Sequence, residues 1–183
     1  MGILSIEHGK AAYGADFALY GAAVVALTGV LLAGVPRDHG LVIVACVLMG
    51  AWGWSGFEYL LHRFLLHGVA PFSRWHAAHH ERPRAMICAP TILSASLIVV
   101  FVFLPALLLA DLWIACALTL GLLAGYFAYG VTHHATHHWR AGSAWLRERK
   151  RWHAMHHHAG THCCYGVTTS FWDRVFGTVP GKG

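Results

Sequence analysis

"LWIACALTLGLLAGYFAYGVTHHATHH", residues 112–138, is an apolar run of about twenty residues that passes straight into four histidines. At 1.5 Å rise per residue, such a run crosses the roughly 30 Å hydrocarbon core of a bilayer. It therefore predicts a membrane helix from residue 112 to about 131, with imidazoles at its end. Three more runs have the same character: residues 17–35, 41 to about 61, and 91–110. The second also runs into histidines. Pro36-Arg37-Asp38-His39-Gly40 and the single Asp111 are the short connections on the opposite face, and Pro105 predicts a kink in the third helix.

The rest of the composition agrees. The 183 residues are 57% hydrophobic and 11% charged, far from the balance of a soluble domain, and the length suits one domain over residues 1–183. Of the thirteen lysines and arginines, only Arg37 falls on the short-connection face; the others, among them Arg63, Arg74, Arg82, Arg84, Lys150 and Lys182, fall on the face that carries the histidines. Positive-inside bias then places both termini, the central loop and the tail in the cytoplasm. The net charge of +5 is thus an orientation signal, and with no nucleic-acid-binding motif beside it, a nucleic-acid partner is not expected. Glu7 and Asp16 flank Lys10 ahead of the long first run, which reads as an uncleaved span rather than a signal peptide. The five cysteines contain no CxxC spacing and are odd in number, so free thiols are expected.

Of the sixteen histidines, His39 is on the short-connection face and His8 in the N-terminal segment; the other fourteen lie at the cytoplasmic ends of the second and fourth runs, in the loop after the second, or in the tail. Four groups stand out: His62…His67, His76-Ala-Ala-His79-His80, His133-His134-Ala-Thr-His137-His138, and His153-Ala-Met-His156-His157. On a helix, HxxHH projects three imidazoles to one side. In the third group, His133 with His137 and His134 with His138 form two competing faces. His62 and His67 are five apart, about 140° around a regular helix, and converge only if the helix distorts or ends, as Gly68 would allow.

Imidazoles in this number suit two neighbouring transition metals rather than one ion. Other metal readings fit poorly. His80-Glu81 is followed by Arg82-Pro83-Arg84 and so is no HExxH protease motif; there is no CxxCH for covalent haem; and a metal transporter would carry its polar ligands near the bilayer midplane.

HRFLLH, HAAHH, THHATH, WHAMHH and the closing YGVTTSFWDRVFGT resemble the fatty acid hydroxylase/sterol desaturase superfamily, and most of all its fatty acid 2-hydroxylase (sphingolipid hydroxylase) branch, over residues 58–178. The resemblance implies an all-α integral membrane fold of four spans, with a cytosolic histidine-rich helical cap holding a dimetal site; a bacterial inner membrane is the expected location. It implies His62, His67, His76, His79, His80, His133, His137, His153, His156 and His157 as ligands. It also implies an O2-dependent oxidoreductase that hydroxylates a lipid acyl chain at C2. Electrons would come from a separate donor, cytochrome b5-like or ferredoxin-type with its reductase. Cleaving an unactivated C–H bond calls for a redox metal, so two iron ions are expected; zinc, which binds imidazole more tightly than ferrous iron, can replace them in purified protein. A carotenoid or sterol hydroxylase or desaturase of the same superfamily is the alternative within the class, and a non-catalytic metal-binding or metal-transport membrane protein is the alternative outside it.

Two carboxylates are expected to support the ligands. Glu58, four residues before His62, orients an imidazole or pairs with Arg63; Asp173 does the same for the last group or caps locally. Arg63, Arg74 and Arg82 are candidates for binding a lipid headgroup. His134, His138, His158 and His162 receive no role.

Overall fold

The computed structural model describes residues 6–158 and 162–181; Lys182 lies outside the described residues. The fold is all-helical: α1 (Lys10–Gly34), α2 (Gly40–Leu60), α3 (Phe72–Glu81), α4 (Thr91–Ile98), α5 (Leu104–Leu109), α6 (Leu112–His138), α7 (Ala144–His156) and α8 (Phe171–Val175). A 3-10 turn, Arg37–His39, precedes α2. Two π-helical segments, Leu61–Leu66 and Val99–Phe103, continue α2 and join α4 to α5. Among the described residues there is no strand, only an isolated bridge between Glu7 and Ile87.

Four helical stretches are long and apolar enough to cross a membrane: Lys10–Gly34, Arg37–Leu66, Thr91–Leu109 and Leu112–His138. The expected four spans are present, with different ends. The first helix begins at Lys10, because the alanines and other good helix formers ahead of the apolar run extend it. The second and fourth do not stop at the apolar boundary but run on through their histidines. Leu32, Leu41, Leu108 and Leu109 are all largely exposed, as lipid-facing side chains of a span must be.

The third span meets Pro105 in an unexpected way. Proline lacks an N–H and crowds the carbonyl four residues back. The five residues of π-helix at Val99–Phe103, with Pro105 in the first turn of α5, take up that conflict within a continuous span.

The chain divides into two compact units, Met1–Trp54 with Met86–Phe127, and Ser55–Ala85 with Ala128–Gly183. In the first, α2 and α6 meet at backbone contact. A Cβ on Gly121 would lie 2.0 Å from the Val47 carbonyl oxygen, and one on Gly50 would lie 2.3 Å from that of Leu118. Small residues permit such approach where lipid supplies no hydrophobic drive between helices. Leu31, Ile43, Cys46, Cys116, Ala117 and Leu120 form the buried core around this crossing. On α1, the Tyr20 hydroxyl bonds Ser94 Oγ at 2.7 Å, and Asp16 accepts from Thr91 Oγ1 at 2.6 Å, which satisfies a carboxylate inside a span. Asp111 caps α6 by accepting from the Ile114 amide at 2.9 Å, so one residue serves as both connection and cap.

The second unit holds α3, α7, α8 and the histidine-bearing ends of α2 and α6. Ser143 Oγ caps α7 by accepting from the Leu146 amide at 3.1 Å. Lys150 Nζ, on α7, donates to the carbonyls of Thr136 and Trp139, each at 2.8 Å. It thereby satisfies carbonyls that the end of α6 leaves open and fixes α7 against it.

Candidate metal centre

The spacing of His62 and His67 is resolved by the helix between them. Leu61–Leu66 is π-helical, with hydrogen bonds from i to i+5, so residues five apart come to the same side. The two ring centroids are 5.4 Å apart. The helix distorts rather than ends.

The two HxxHH groups behave differently from the expectation that each sends three imidazoles to one place. At 100° per residue, i and i+4 are about 40° apart while i+3 lies about 60° to the other side. His76 and His80 on α3 therefore go one way and His79 the other. On α7 the same split sends His153 and His157 to the side of His79, and His156 to the side of His76. Together with the span ends this gives two groups of five: His62, His67, His76, His80 and His156, and His79, His133, His137, His153 and His157. Within each group, one nitrogen from every residue lies within 4.8 Å of all the others. All ten candidate ligands are in these groups, half in each.

The donor set fits a metal ion in each group. Two imidazole nitrogens bound at right angles to one ion, each about 2.0–2.1 Å from it, are about 3 Å apart. The Nε2 atom of His76 is 2.9 Å from that of His62 and 3.0 Å from that of His80, and the Nε2 atoms of His67 and His156 meet at 3.1 Å. In the second group, His153 Nε2 is 2.8 Å from that of His137 and 3.1 Å from that of His157. His79, on the same side, is buried with neither nitrogen hydrogen-bonded among the described residues. A buried imidazole left so costs about 1–3 kcal/mol per unsatisfied group, a cost that ligation removes.

Protonation points the same way. Burial is the largest cause of lowering and neighbouring imidazoles add to it, with the Cys163 carbonyl partly offsetting both at His156. Together they hold His79 at about 3, His80 at about 4, His156 at about 3 and His157 at about 2, with His76 and His153 also well below the usual histidine range. These side chains are neutral at pH 7, the form in which imidazole binds metal.

A strap between α7 and α8 orients part of the first group. The Tyr165 carbonyl lies 2.5 Å from His62 Nδ1, and the Cys163 carbonyl 3.0 Å from His156 Nδ1. A carbonyl only accepts, so each Nδ1 carries the proton and each Nε2 presents its lone pair to the group. The Tyr165 ring also packs on His62, His67 and His156, with centroids 5.4–5.8 Å away. Spacing and composition do not single out residues 163–165, although Tyr165 opens the YGVTTSFWDRVFGT stretch. Nothing local marks a carbonyl as a partner for a histidine a hundred residues earlier.

Glu58 acts on this strap rather than on an imidazole or Arg63, and Asp173 takes the local one of its two expected roles. Glu58, 3% exposed, accepts from the amides of Val167 at 2.6 Å and Thr168 at 2.8 Å, and from the Thr168 hydroxyl. Asp173, fully buried, accepts from the amides of Tyr165 at 2.9 Å and Gly166 at 2.8 Å, and from Thr178 Oγ1 at 2.7 Å. His62 and His156 take backbone carbonyls because the strap passes beside their Nδ1 atoms. Arg63 donates to the Tyr59 hydroxyl at 2.7 Å, and Tyr59 in turn bonds Thr178 Oγ1 at 3.0 Å. Arg63 thus belongs to the network that holds the strap. Arg74 and Arg82 are exposed.

His134 and His138 stack on each other, 4.4 Å between centroids, on the other face of α6; neither they nor His158 or the exposed His162 belongs to the two groups. His39 is exposed in the 3-10 turn before α2.

Four helices apolar enough to cross a membrane and two five-imidazole groups that could each hold a metal ion define the class, a histidine-rich membrane protein. The family model described as fatty acid hydroxylase matches residues 43–178, and the chain belongs to that family. It is 35% identical to a dihydroceramide fatty acyl 2-hydroxylase of Arabidopsis thaliana over 74% of its length and 60% of the relative's. It is 30% identical to the fatty acid 2-hydroxylase of Rattus norvegicus over 81% of its own length and 44% of that protein's. Among solved structures it is similar to full-length scs7p, of which only the hydroxylase domain is visible: TM-score 0.80, 27% identity, 96% of this chain and 68% of the other. The chain thus spans about six tenths of the length of the Arabidopsis relative.

Proposed function

We propose that this chain is a membrane-bound lipid hydroxylase that inserts oxygen from O2 at C2 of an acyl chain, using two iron ions and two electrons from a separate donor protein. The observation that carries the reading is the pairing of two five-histidine groups in a member of the fatty acid hydroxylase family. The 2-position follows from the relatives, whose names give 2-hydroxylation of fatty acids and dihydroceramide acyl chains.

His62, His67, His76, His80 and His156 hold one ion, and His79, His133, His137, His153 and His157 the other. The metals supply one-electron redox chemistry toward O2 that no side chain can. The protein's own part is positional. The Tyr165 and Cys163 carbonyls fix His62 and His156 with their Nε2 lone pairs inward, while Glu58 and Asp173 hold those carbonyls in place. The Tyr165 ring excludes water from one side of the first group. Exposed Arg74 and Arg82 attract a polar or anionic headgroup. The whole of residues 1–183 acts as one domain, with the histidine-bearing face in the cytoplasm, where a soluble electron donor reaches it.

The test is incubation of the purified protein with 18O2, a reductant, an electron donor and a panel of acyl lipids, followed by mass-spectrometric fragmentation. The expected product carries one labelled hydroxyl on the carbon next to the carbonyl. Transport of metal into vesicles with no oxygenated lipid would defeat the enzyme reading, and a labelled ring or mid-chain carbon would defeat the 2-position.

A further inference from the structure

Two adjacent thiols, Cys163 and Cys164, sit in the strap, and nothing in the proposed chemistry uses them. All five cysteines are free, and neither member of this pair falls in a histidine group. Their Sγ atoms are 2.9 Å apart. The peptide between them is held from both sides. The Cys163 carbonyl accepts from His156 Nδ1 at 3.0 Å, and the Cys164 amide donates to the Thr178 carbonyl at 2.9 Å. Cys164 has φ +64°, in the left-handed region that a side chain rarely enters, and this turn brings the two sulfurs together.

We infer that Cys163 and Cys164 are a peroxide-sensitive dithiol that closes to a reversible disulfide, and that closure turns the Cys163 carbonyl away from His156. The coupling to the metal rests on the function proposed above; the thiol chemistry stands apart from it. Cys163 is half-buried and Cys164 buried, so a small oxidant meets Cys163 first. Hydrogen peroxide oxidises the Cys163 thiol to a sulfenic acid and is reduced to water. The Cys164 sulfur then attacks the sulfenic sulfur, the S–S bond forms, and the hydroxyl leaves as a second water. In sum, two thiols give two electrons and two protons to one peroxide.

Geometry makes the bond labile and its effect local. Adjacent Cα atoms are about 3.8 Å apart, closer than the roughly 4.4–6.8 Å of ordinary disulfides. The bond is therefore strained, and strained disulfides are the easily reduced, regulatory ones. The small ring it closes contains the carbonyl carbon of Cys163 and the nitrogen of Cys164. Drawing the sulfurs from 2.9 Å to the roughly 2.05 Å of a disulfide shifts this peptide, and with it the carbonyl that orients His156. Loss of such a partner weakens metal binding about 10–100-fold. Oxidation thus loosens the first group and slows further oxygen chemistry until a dithiol reductant restores it.

The test uses the full chain in detergent, treated with hydrogen peroxide, blocked with a maleimide after denaturation and digested with trypsin. Both cysteines lie in the peptide 152–174. This peptide should lose two hydrogens and take no maleimide, and dithiothreitol should restore two maleimides. The oxidised protein should surrender its first metal to a chelator about 10–100-fold more readily than the reduced protein. Cys164→Ser should instead give a sulfenic acid at Cys163, trapped by dimedone, with metal retention unchanged. Two alkylated thiols after peroxide, or only irreversible oxygen addition at the cysteines, would overturn the dithiol. A disulfide with unaltered metal release would overturn the coupling. Fresh protein that holds no metal would count against the metal reading and not against the dithiol.

Discussion

His62 and His67 face the same group because the helix between them is π-helical, and their rings stand 5.4 Å apart at the end of a membrane span. In a regular α-helix they would diverge by about 140°. The same span holds Glu58, which fixes the strap whose Tyr165 carbonyl meets His62. One helix end thus supplies two imidazoles and one of the carboxylates that hold their setting.

Asp173→Asn should loosen that setting. Asp173 accepts two amides with its two oxygens, and asparagine can accept only with one, leaving a buried N–H without a partner. The expected cost is about 1–3 kcal/mol of stability. Metal affinity of the first group should fall by about 10–100-fold, while the second group is less affected. Denaturant unfolding and chelator competition on the same preparation check both arms, and a variant that loses stability with unchanged affinity would show the strap to be structural only.

Acid should unfold the metal-free protein through its histidines. His79, His80, His156 and His157 titrate at about 3, 4, 3 and 2 in the fold, against about 6.5 in the unfolded chain. Above pH 6.5 both states are neutral and the groups contribute no pH dependence. As pH falls from 6.5 toward these folded values, the unfolded state binds protons that the fold refuses, and stability is lost. Denaturation midpoints measured from pH 7.5 to 5 should therefore fall steadily in chelator-treated protein. Equal midpoints across that range would mean that the imidazoles are not buried together.

Gly121→Ala should damage the first unit, because its Cβ would lie 2.0 Å from the backbone oxygen of Val47 and two helix backbones would have to part. The expected loss is about 1–3 kcal/mol. Gly53→Ala is the control: nothing lies within 4 Å of its added Cβ, and the exchange should be neutral or stabilising by up to about 1 kcal/mol. Detergent-phase thermal unfolding of the pair, side by side, reads the difference.

The spans and the four histidine groups were legible in the sequence because each rests on a local pattern: apolar run length, and spacing along a helix. The π-helix at Leu61–Leu66 was not, since the spacing of His62 and His67 announced a conflict but not its solution. The split of each HxxHH between two groups follows from helix angles once two sites flank the helix, yet a sequence shows only that i, i+3 and i+4 share a side. Glu58 stands out in the sequence by its place four residues before His62, but its partners, the amides of Val167 and Thr168, lie more than a hundred residues away and carry no side-chain signature. Arg63 read as a headgroup ligand for the same reason: its partner Tyr59 is one helical turn back, but the network beyond it ends at Thr178 and Asp173.

The central claim is that two separate five-histidine groups each bind one metal ion. Elemental analysis of protein purified without chelator, on wild type and four variants, tests it most directly. The wild type should hold about two transition-metal ions per chain. His76→Ala, in the first group, and His79→Ala, in the second, should each lose about one ion while the double variant loses both. His39→Ala should keep the full complement, since His39 lies exposed and far along the chain from every group. Wild-type protein with no metal or a single ion, or a His76→Ala variant that loses both ions as readily as the double variant, would contradict the account.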